Sequence, residues 1–290
     1  MEKELKKEIA KLREYFEKRE DVVMAFLFGS RAKGETNIHE SSDWDVAVYF
    51  KPEGGRIERD AQKRDFSEIR RNMWSELSGI LETDGIDIVV LNQAHAPIAA
   101  AAINGAPLVI KSRRIYVEFM LIVIKEAYDF YQTAHHYYEI FSRSASLNEE
   151  DAVSLERRLA FLEAELGSLP KYKGISWQQY QSDDEKRKIL EKTIENLVNA
   201  TIDASQIILA SSRKPIPHSY RGILLEAASE LAFSEKESQT FSGGAEVRNI
   251  LAHEYLDYRW KDIQWFLENV APLLPAFINE IKKFLEKNRT

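Results

Sequence analysis

No cysteine occurs in the 290 residues, which excludes a disulfide framework, a thiolate metal site and a thiol nucleophile. Positive charge is in deficit: 40 Lys and Arg stand against 47 Asp and Glu, a formal charge of −7. That balance argues against a protein coated in positive charge for nucleic acid, although a single active site needs only a few Lys or Arg for its phosphate contacts. Long apolar runs are missing as well. The two most apolar stretches are 97–110, broken by Pro97, Gly105 and Pro107, and 115–124, which is short and holds Glu118. Neither can span a bilayer. The first residues enter an amphipathic pattern with no signal-peptide apolar region. Together with the lack of thiols, this gives the expectation of a cytoplasmic protein without a membrane partner. What remains is a globular composition, 44% hydrophobic and 30% charged, long enough for one large domain or two ordinary ones.

The first half alternates helix and strand. Leu5, Ile9, Leu12 and Phe16 recur at helical spacing, and an apolar run over 22–28 reads as a buried strand that stops at Gly29-Ser30. Further strands are expected over 44–50 and 86–91, with a helix carrying Phe66, Ile69, Met73, Leu77 and Ile80 between them. After Ile110 strand signals cease. One long helix is expected over 116–141, then helices over 149–166, 185–210, 220–232, 245–255 and 263–285, packed as a bundle of four or five. The small polar stretch 142–146 is the best linker. The expected architecture is therefore α+β, an α/β domain over 1–146 followed by an all-helical domain over 147–290.

Two constellations carry chemistry. In the first, Gly29 permits a tight turn, and Ser30 offers a hydroxyl and an amide at a probable helix start, surroundings that phosphate favours. Arg31 and Lys33 either touch the triphosphate or merely solvate the helix. Asp43 and Asp45, two apart at the head of a strand, project from one face, and Asp87 enters the next strand beside them. Three converging carboxylates repel unless a divalent cation lies between them, and hard oxygen ligands suit Mg²⁺ or Mn²⁺. With a nucleoside triphosphate this becomes two-metal chemistry at the attacking and leaving oxygens.

These residues resemble the nucleotidyltransferase superfamily of DNA polymerase β type, and within it the minimal nucleotidyltransferases. The match lies in Gly29-Ser30-Arg31-Ala32-Lys33-Gly34, then Ser42-Asp43-Trp44-Asp45, then the strand opened by Gly85-Ile86-Asp87. The spacer from Ser30 to Asp43 is slightly longer than usual in that family, a cheap change for a polar loop. The resemblance implies a polymerase β-like fold, Mg²⁺ (or Mn²⁺) held by Asp43, Asp45 and Asp87, catalytic action at Asp87, a nucleotide gripped by Gly29, Ser30 and Arg31, and ATP as substrate.

The second constellation is Arg248-Asn249, then His253, then Tyr255. On a helix Asn249 and His253 lie one turn apart. Histidine is the natural acid or base near neutral pH, and arginine stabilises charge on phosphorus. Such a set suits metal-independent RNA cleavage, in which the 2′-hydroxyl attacks the adjacent phosphate. The segment resembles the HEPN domain of the HepT toxin family, and the segments around Leu155–Phe161 and Ile216–Tyr220 follow that family's order. This implies catalytic Arg248 and His253, supported by Asn249, acting on RNA in a homodimer of HEPN domains. It also implies a minimal nucleotidyltransferase (MntA-like) partner that places AMP on the motif tyrosine, here Tyr255.

The expectation is therefore a fused toxin–antitoxin protein, a Mg-dependent nucleotidyltransferase that silences its own ribonuclease domain by AMP transfer. The alternative is a small-molecule nucleotidyltransferase of the aminoglycoside-modifying kind, whose helical domain only binds substrate or dimerises. The adjacent His135 and His136 face different ways on a helix and read as surface or interface.

Overall fold

A run with no polar side belongs between two covered faces, and 22–28 forms such a strand, β1 (Val22–Phe28), with six of its seven residues buried. A computed structural model describes residues 2–32, 43–53, 57–59, 64–143, 145–253 and 259–288. Ahead of β1 lies helix α1 (Glu2–Lys18), and after it one helical turn, α2 (Gly29–Ala32). Then follow β2 (Trp44–Phe50), α3 (Ser67–Leu81), β3 (Ile86–Val90), α4 (Ala96–Ile103) and β4 (Ala106–Ile110). The sheet order is β3-β2-β1-β4, with β1 antiparallel to both neighbours and β2 parallel to β3. The parallel pair needs a crossover, and α3 supplies it.

Strand β4 and helix α4 before it are elements of this unit that sequence reasoning misses. Pro107 gives no N–H and Gly105 interrupts the pattern, which both argue against a strand. Yet β4 lies at the edge of the sheet, where proline is tolerated. Alternation along β2 sorts the rest. Trp44, Val46, Val48 and Phe50 pack with Leu12 and Phe16 of α1 and Met73 and Leu77 of α3. Ala47 and Tyr49 face the other core, with Ala99 and Ala102 of α4. Asp45 and Asp87 have the parity of this second face. Arg19 ties the first face together: it grips Asp21 with Nε and Nη2 (2.8 and 2.7 Å) and reaches Glu76 of α3 at 3.0 Å.

Helix α5 (Arg113–Arg143) is longer than expected at both ends. The contacts divide the chain at Ala127/Tyr128, inside this helix, rather than at the expected 146/147. The reason lies in its two halves. Phe119 and Val123 bury in the sheet's second core, whereas Phe130, Tyr137 and Ile140 bury with the downstream helices. Polar ties follow the same split, for Tyr137 donates to the Lys214 carbonyl at 2.6 Å and Arg213 to the Phe141 carbonyl at 2.6 Å.

The second unit is all helical among the described residues. It comprises the end of α5, α6 (Glu149–Leu166), α7 (Trp177–Ser182), α8 (Asp184–Ser211), α9 (Tyr220–Glu230), α10 (Glu235–Ser242), α11 (Gly244–His253), α12 (Trp260–Trp265) and α13 (Leu274–Asn288). Polar caps start them: Asn148, Asp183, Ser219 and Ser234 each accept from a backbone N–H in the first turn, Ser234 within a capping box with Glu237. Helix α8 runs through the middle, buried almost continuously from Leu197 to Ala210. The single helix expected over 263–285 is instead α12, a π turn over 266–270, a short 3₁₀ turn and α13. Pro272 and Pro275 withhold the N–H groups that an unbroken α-helix needs. Among the described residues no helix is long and apolar enough to cross a membrane.

Candidate functional sites

At one end of the sheet the first constellation assembles on neighbouring strands. Phe28 pairs with Asp45 and Asp45 pairs with Asp87, so the end of β1, the head of β2 and the head of β3 lie side by side. Asp43 directly precedes β2, where the Trp44 N–H donates to the Gly85 carbonyl at 2.8 Å. Gly29 leaves β1 with a φ of +71°, and a Cβ placed on it would overlap the Asp45 carboxylate. A Cβ on Gly85 would come within 2.8 Å of Asp43 Oδ1. Glycine is thus required at position 29, where the positive φ and the Asp45 carboxylate both exclude a side chain, whereas at Gly85 the exposed Asp43 side chain could give way.

Burial raises the Asp45 carboxyl above the usual range, repulsion from Asp87 and then Asp43 adds to it, and Arg31 opposes. Arg31 stacks on the Trp44 ring, its guanidinium carbon 4.6 Å from the ring centre. Ser30 is part-exposed in α2. Lys33 and Gly34 lie outside the described residues. Beside Asp87 opens a cleft of about 320 Å³ lined also by Phe66, Ser67, Arg70 and Gln93.

Among the described residues no three acidic or histidine side chains are drawn tightly enough to enclose a metal ion. Mg²⁺ does not require a closed cage, because it binds through one or two carboxylates and completes its shell with water and substrate phosphates. An exposed Asp43 and Asp87 flanking a part-buried, mutually repelled Asp45 fit that role by donor chemistry.

In the helical unit, Arg248 of α11 is 12% exposed and held on several sides. Its Nε donates to Asn199 Oδ1 at 2.8 Å, and its Nη1 to Asp129 Oδ2 at 3.2 Å and Asn249 Oδ1 at 3.4 Å. Its guanidinium lies 4.8 Å from the Tyr220 ring centre. Tyr220 in turn bonds Thr133 at 3.1 Å. His253 ends α11, and only its backbone is described. Tyr255 lies outside the described residues. The structure thus brings Arg248 and Asn249 together.

The structure also reveals three partners that sequence reasoning missed: Asp129, Asn199 and Tyr220. No local spacing signals them, since Asn199 is 49 residues and Asp129 119 residues from Arg248. His135 and His136 both face Glu139, at 3.6 and 3.8 Å. His135 is largely exposed, whereas the Nε2 of His136 is buried without a hydrogen bond.

Residues 10–114 match the family model described as "Polymerase beta, Nucleotidyltransferase", and residues 151–281 match that of "Ribonuclease HepT-like". The chain is also similar in sequence to a tRNA nuclease HepT of Aphanizomenon flos-aquae (strain 2012/KM1/D3). The two are 22% identical over 135 residues, which cover 47% of this chain and 92% of that relative.

Proposed function

This chain joins a nucleotidyltransferase domain of the polymerase beta type to a HepT-like ribonuclease domain, and from that premise we propose that the first domain silences the second by AMP transfer. The observation that carries the transferase half is the register of Asp45 against Asp87, with Gly29 clearing the space in front of Asp45. In the proposed reaction the Tyr255 phenol oxygen attacks the α-phosphorus of ATP. The bond from that phosphorus to the bridging oxygen breaks, and pyrophosphate leaves. Asp87 takes the phenol proton, which a hydroxyl with an ordinary pKa of about 10 must shed. Ser30 and the backbone at Gly29 hold the triphosphate, and Arg31 offsets its charge. Asp43 and Asp45 would hold a divalent cation, Mg²⁺ or Mn²⁺, which would supply neutralisation of the charge on the leaving pyrophosphate.

The ribonuclease half rests on Arg248 and His253. His253 moves the proton of the attacking 2′-hydroxyl, and Arg248 stabilises the charge that builds on phosphorus, with Asn249 and Asn199 holding its guanidinium. RNA is the substrate class, two helical domains pair to complete the site, and the protein works in the cytoplasm. AMP on Tyr255 would bring a bulky anion within two residues of His253 in the chain and so compete with RNA phosphate.

Incubation of the chain with labelled ATP and Mg²⁺ tests the transfer. The label is expected on protein and absent from a Tyr255→Phe variant. Undiminished label in that variant refutes the acceptor. A second reading, AMP transfer to a small alcohol, has one observation in its favour, the cleft beside Asp87. It requires label on a soluble alcohol and no RNA cleavage.

A further inference from the structure

Helices α6 and α8 pack with opposite direction. Arg158 Nε lies 3.5 Å from Asp203 Oδ2, and about two turns away Asn196 donates to Glu165 at 3.4 Å, so numbers rise on one helix as they fall on the other. Between these pairs the seam opens into a cleft of about 250 Å³ lined by Arg157, Arg158, Phe161, Asn196, Asn199 and Asp203. It adjoins the motif arginine directly, because Asn199 is the residue that accepts from Arg248 Nε.

Three features set this seam apart from an ordinary helix face. Phe161 is 44% exposed, although Leu155, Leu159 and Leu162 of the same helix bury their side chains in the core. The bundle therefore does not use this ring for packing. Arg158 is fixed in place, its Nη1 bound to Ser154 Oγ at 2.6 Å and to the Ser154 carbonyl at 3.2 Å. Arg157 projects next to it and has no ion-pair partner among the described residues. An aromatic face, two guanidinium groups and a short row of amide and carboxylate groups on α8 is the chemistry that takes a single-stranded nucleotide.

We propose that the α6/α8 seam beside Arg248 is a subsite for one nucleotide of single-stranded RNA, the one flanking the scissile phosphate. The base stacks on Phe161, and Arg157 takes the phosphate on its outer side. Asn196, Asn199 and Asp203 meet the base edge. A carboxylate accepts and does not donate, so Asp203 favours bases that present an exocyclic amino group, as adenine, cytosine and guanine do, over uracil, whose one edge donor is its ring N–H. The proposal rests on the ribonuclease reading for its place beside the cleaved bond.

The test is fluorescence polarisation of the full chain, carrying Asp43→Ala and Asp45→Ala so that it cannot transfer AMP and otherwise wild type, with short 2′-O-methyl oligonucleotides of A, C or U, in which no free 2′-hydroxyl can attack. Wild type is expected to bind A and C more tightly than U. Phe161→Ala is expected to bind about tenfold more weakly, the scale of one lost base–aromatic stack, with an unchanged melting temperature because the ring is not core. Asp203→Asn is expected to erase the preference over U. Binding by both Phe161→Ala and Arg157→Gln equal to wild type overturns the subsite, and so does a wild type that binds none of the three. Unmodified RNA incubated in parallel separates the two readings: intact RNA despite Phe161-dependent binding sinks the nuclease reading and leaves the subsite standing.

Discussion

Asp45 and Asp87 stand opposite one another in the parallel pairing of β2 and β3, and Asp87 adds to the cost that burial already sets on ionising Asp45. An ionised Asp45 costs the bare protein stability there, and a shared cation would offset that cost. That tension is what a cation-dependent transferase requires.

Asp45→Asn relieves the repulsion and removes a ligand at once. The variant is expected to melt at a higher temperature than wild type in the absence of divalent ions. It is also expected to lose the stabilisation that Mg²⁺ with ATP gives wild type, and to transfer AMP about a thousandfold more slowly. Thermal melts with and without Mg²⁺ and ATP check it; a variant that still gains stability from the pair contradicts the assignment.

Gly29→Ala puts a Cβ into the Asp45 carboxylate and forces an L residue to a φ of +71°. A loss of roughly 1–3 kcal/mol in stability is expected, with AMP transfer reduced further than stability alone explains. Urea denaturation read beside the transfer rate distinguishes a strained turn from a displaced carboxylate.

Asp129 contributes a carboxylate to Arg248 from α5, ahead of the HepT-like match at 151–281. A carboxylate on that guanidinium competes with RNA phosphate. Asp129→Asn, made in a transfer-dead Asp43→Ala, Asp45→Ala background, is expected to cleave RNA about tenfold faster at low RNA concentration, the scale of one charge-assisted hydrogen bond. Slower cleavage shows instead that Asp129 positions Arg248.

The Arg19–Asp21 pair supplies a pH signature of the first unit. The Arg19 guanidinium holds the Asp21 carboxyl below the usual carboxylate range. A carboxyl depressed in the folded state contributes stability that is present above its unfolded pKa and is lost as pH falls through its folded pKa. Asp21→Asn is therefore expected to be less stable than wild type at neutral pH, by about 1 kcal/mol or less given partial exposure, and equal to it in strong acid. A difference that persists unchanged into acid contradicts the pair.

How much of this was legible in the sequence depends on the range of the interaction. Strands β1 and β2 and helix α6 read at their observed limits because their apolar patterns and caps are local. Gly29, Ser30 and the Asp43–Asp45 pair stood out because turn chemistry and strand alternation act over a few residues. Strand β4 was hidden, because an edge position that tolerates Pro107 is a property of the sheet and not of the segment. The partners of Arg248 were hidden for the same reason: Asp129, Asn199 and Tyr220 reach it only once α5, α8, α9 and α11 have packed. The division of contacts inside α5 was hidden because polar linker composition is visible along the chain, whereas the burial of Phe130 and Tyr137 with the bundle is not.

The most direct measurement is RNA cleavage by wild type and by the Asp43→Ala, Asp45→Ala double variant, each first incubated with ATP and Mg²⁺. If the acidic end of the sheet muzzles the nuclease, the double variant cuts RNA and wild type does not. Wild type cutting as fast as the double variant after that treatment would show that no such restraint exists.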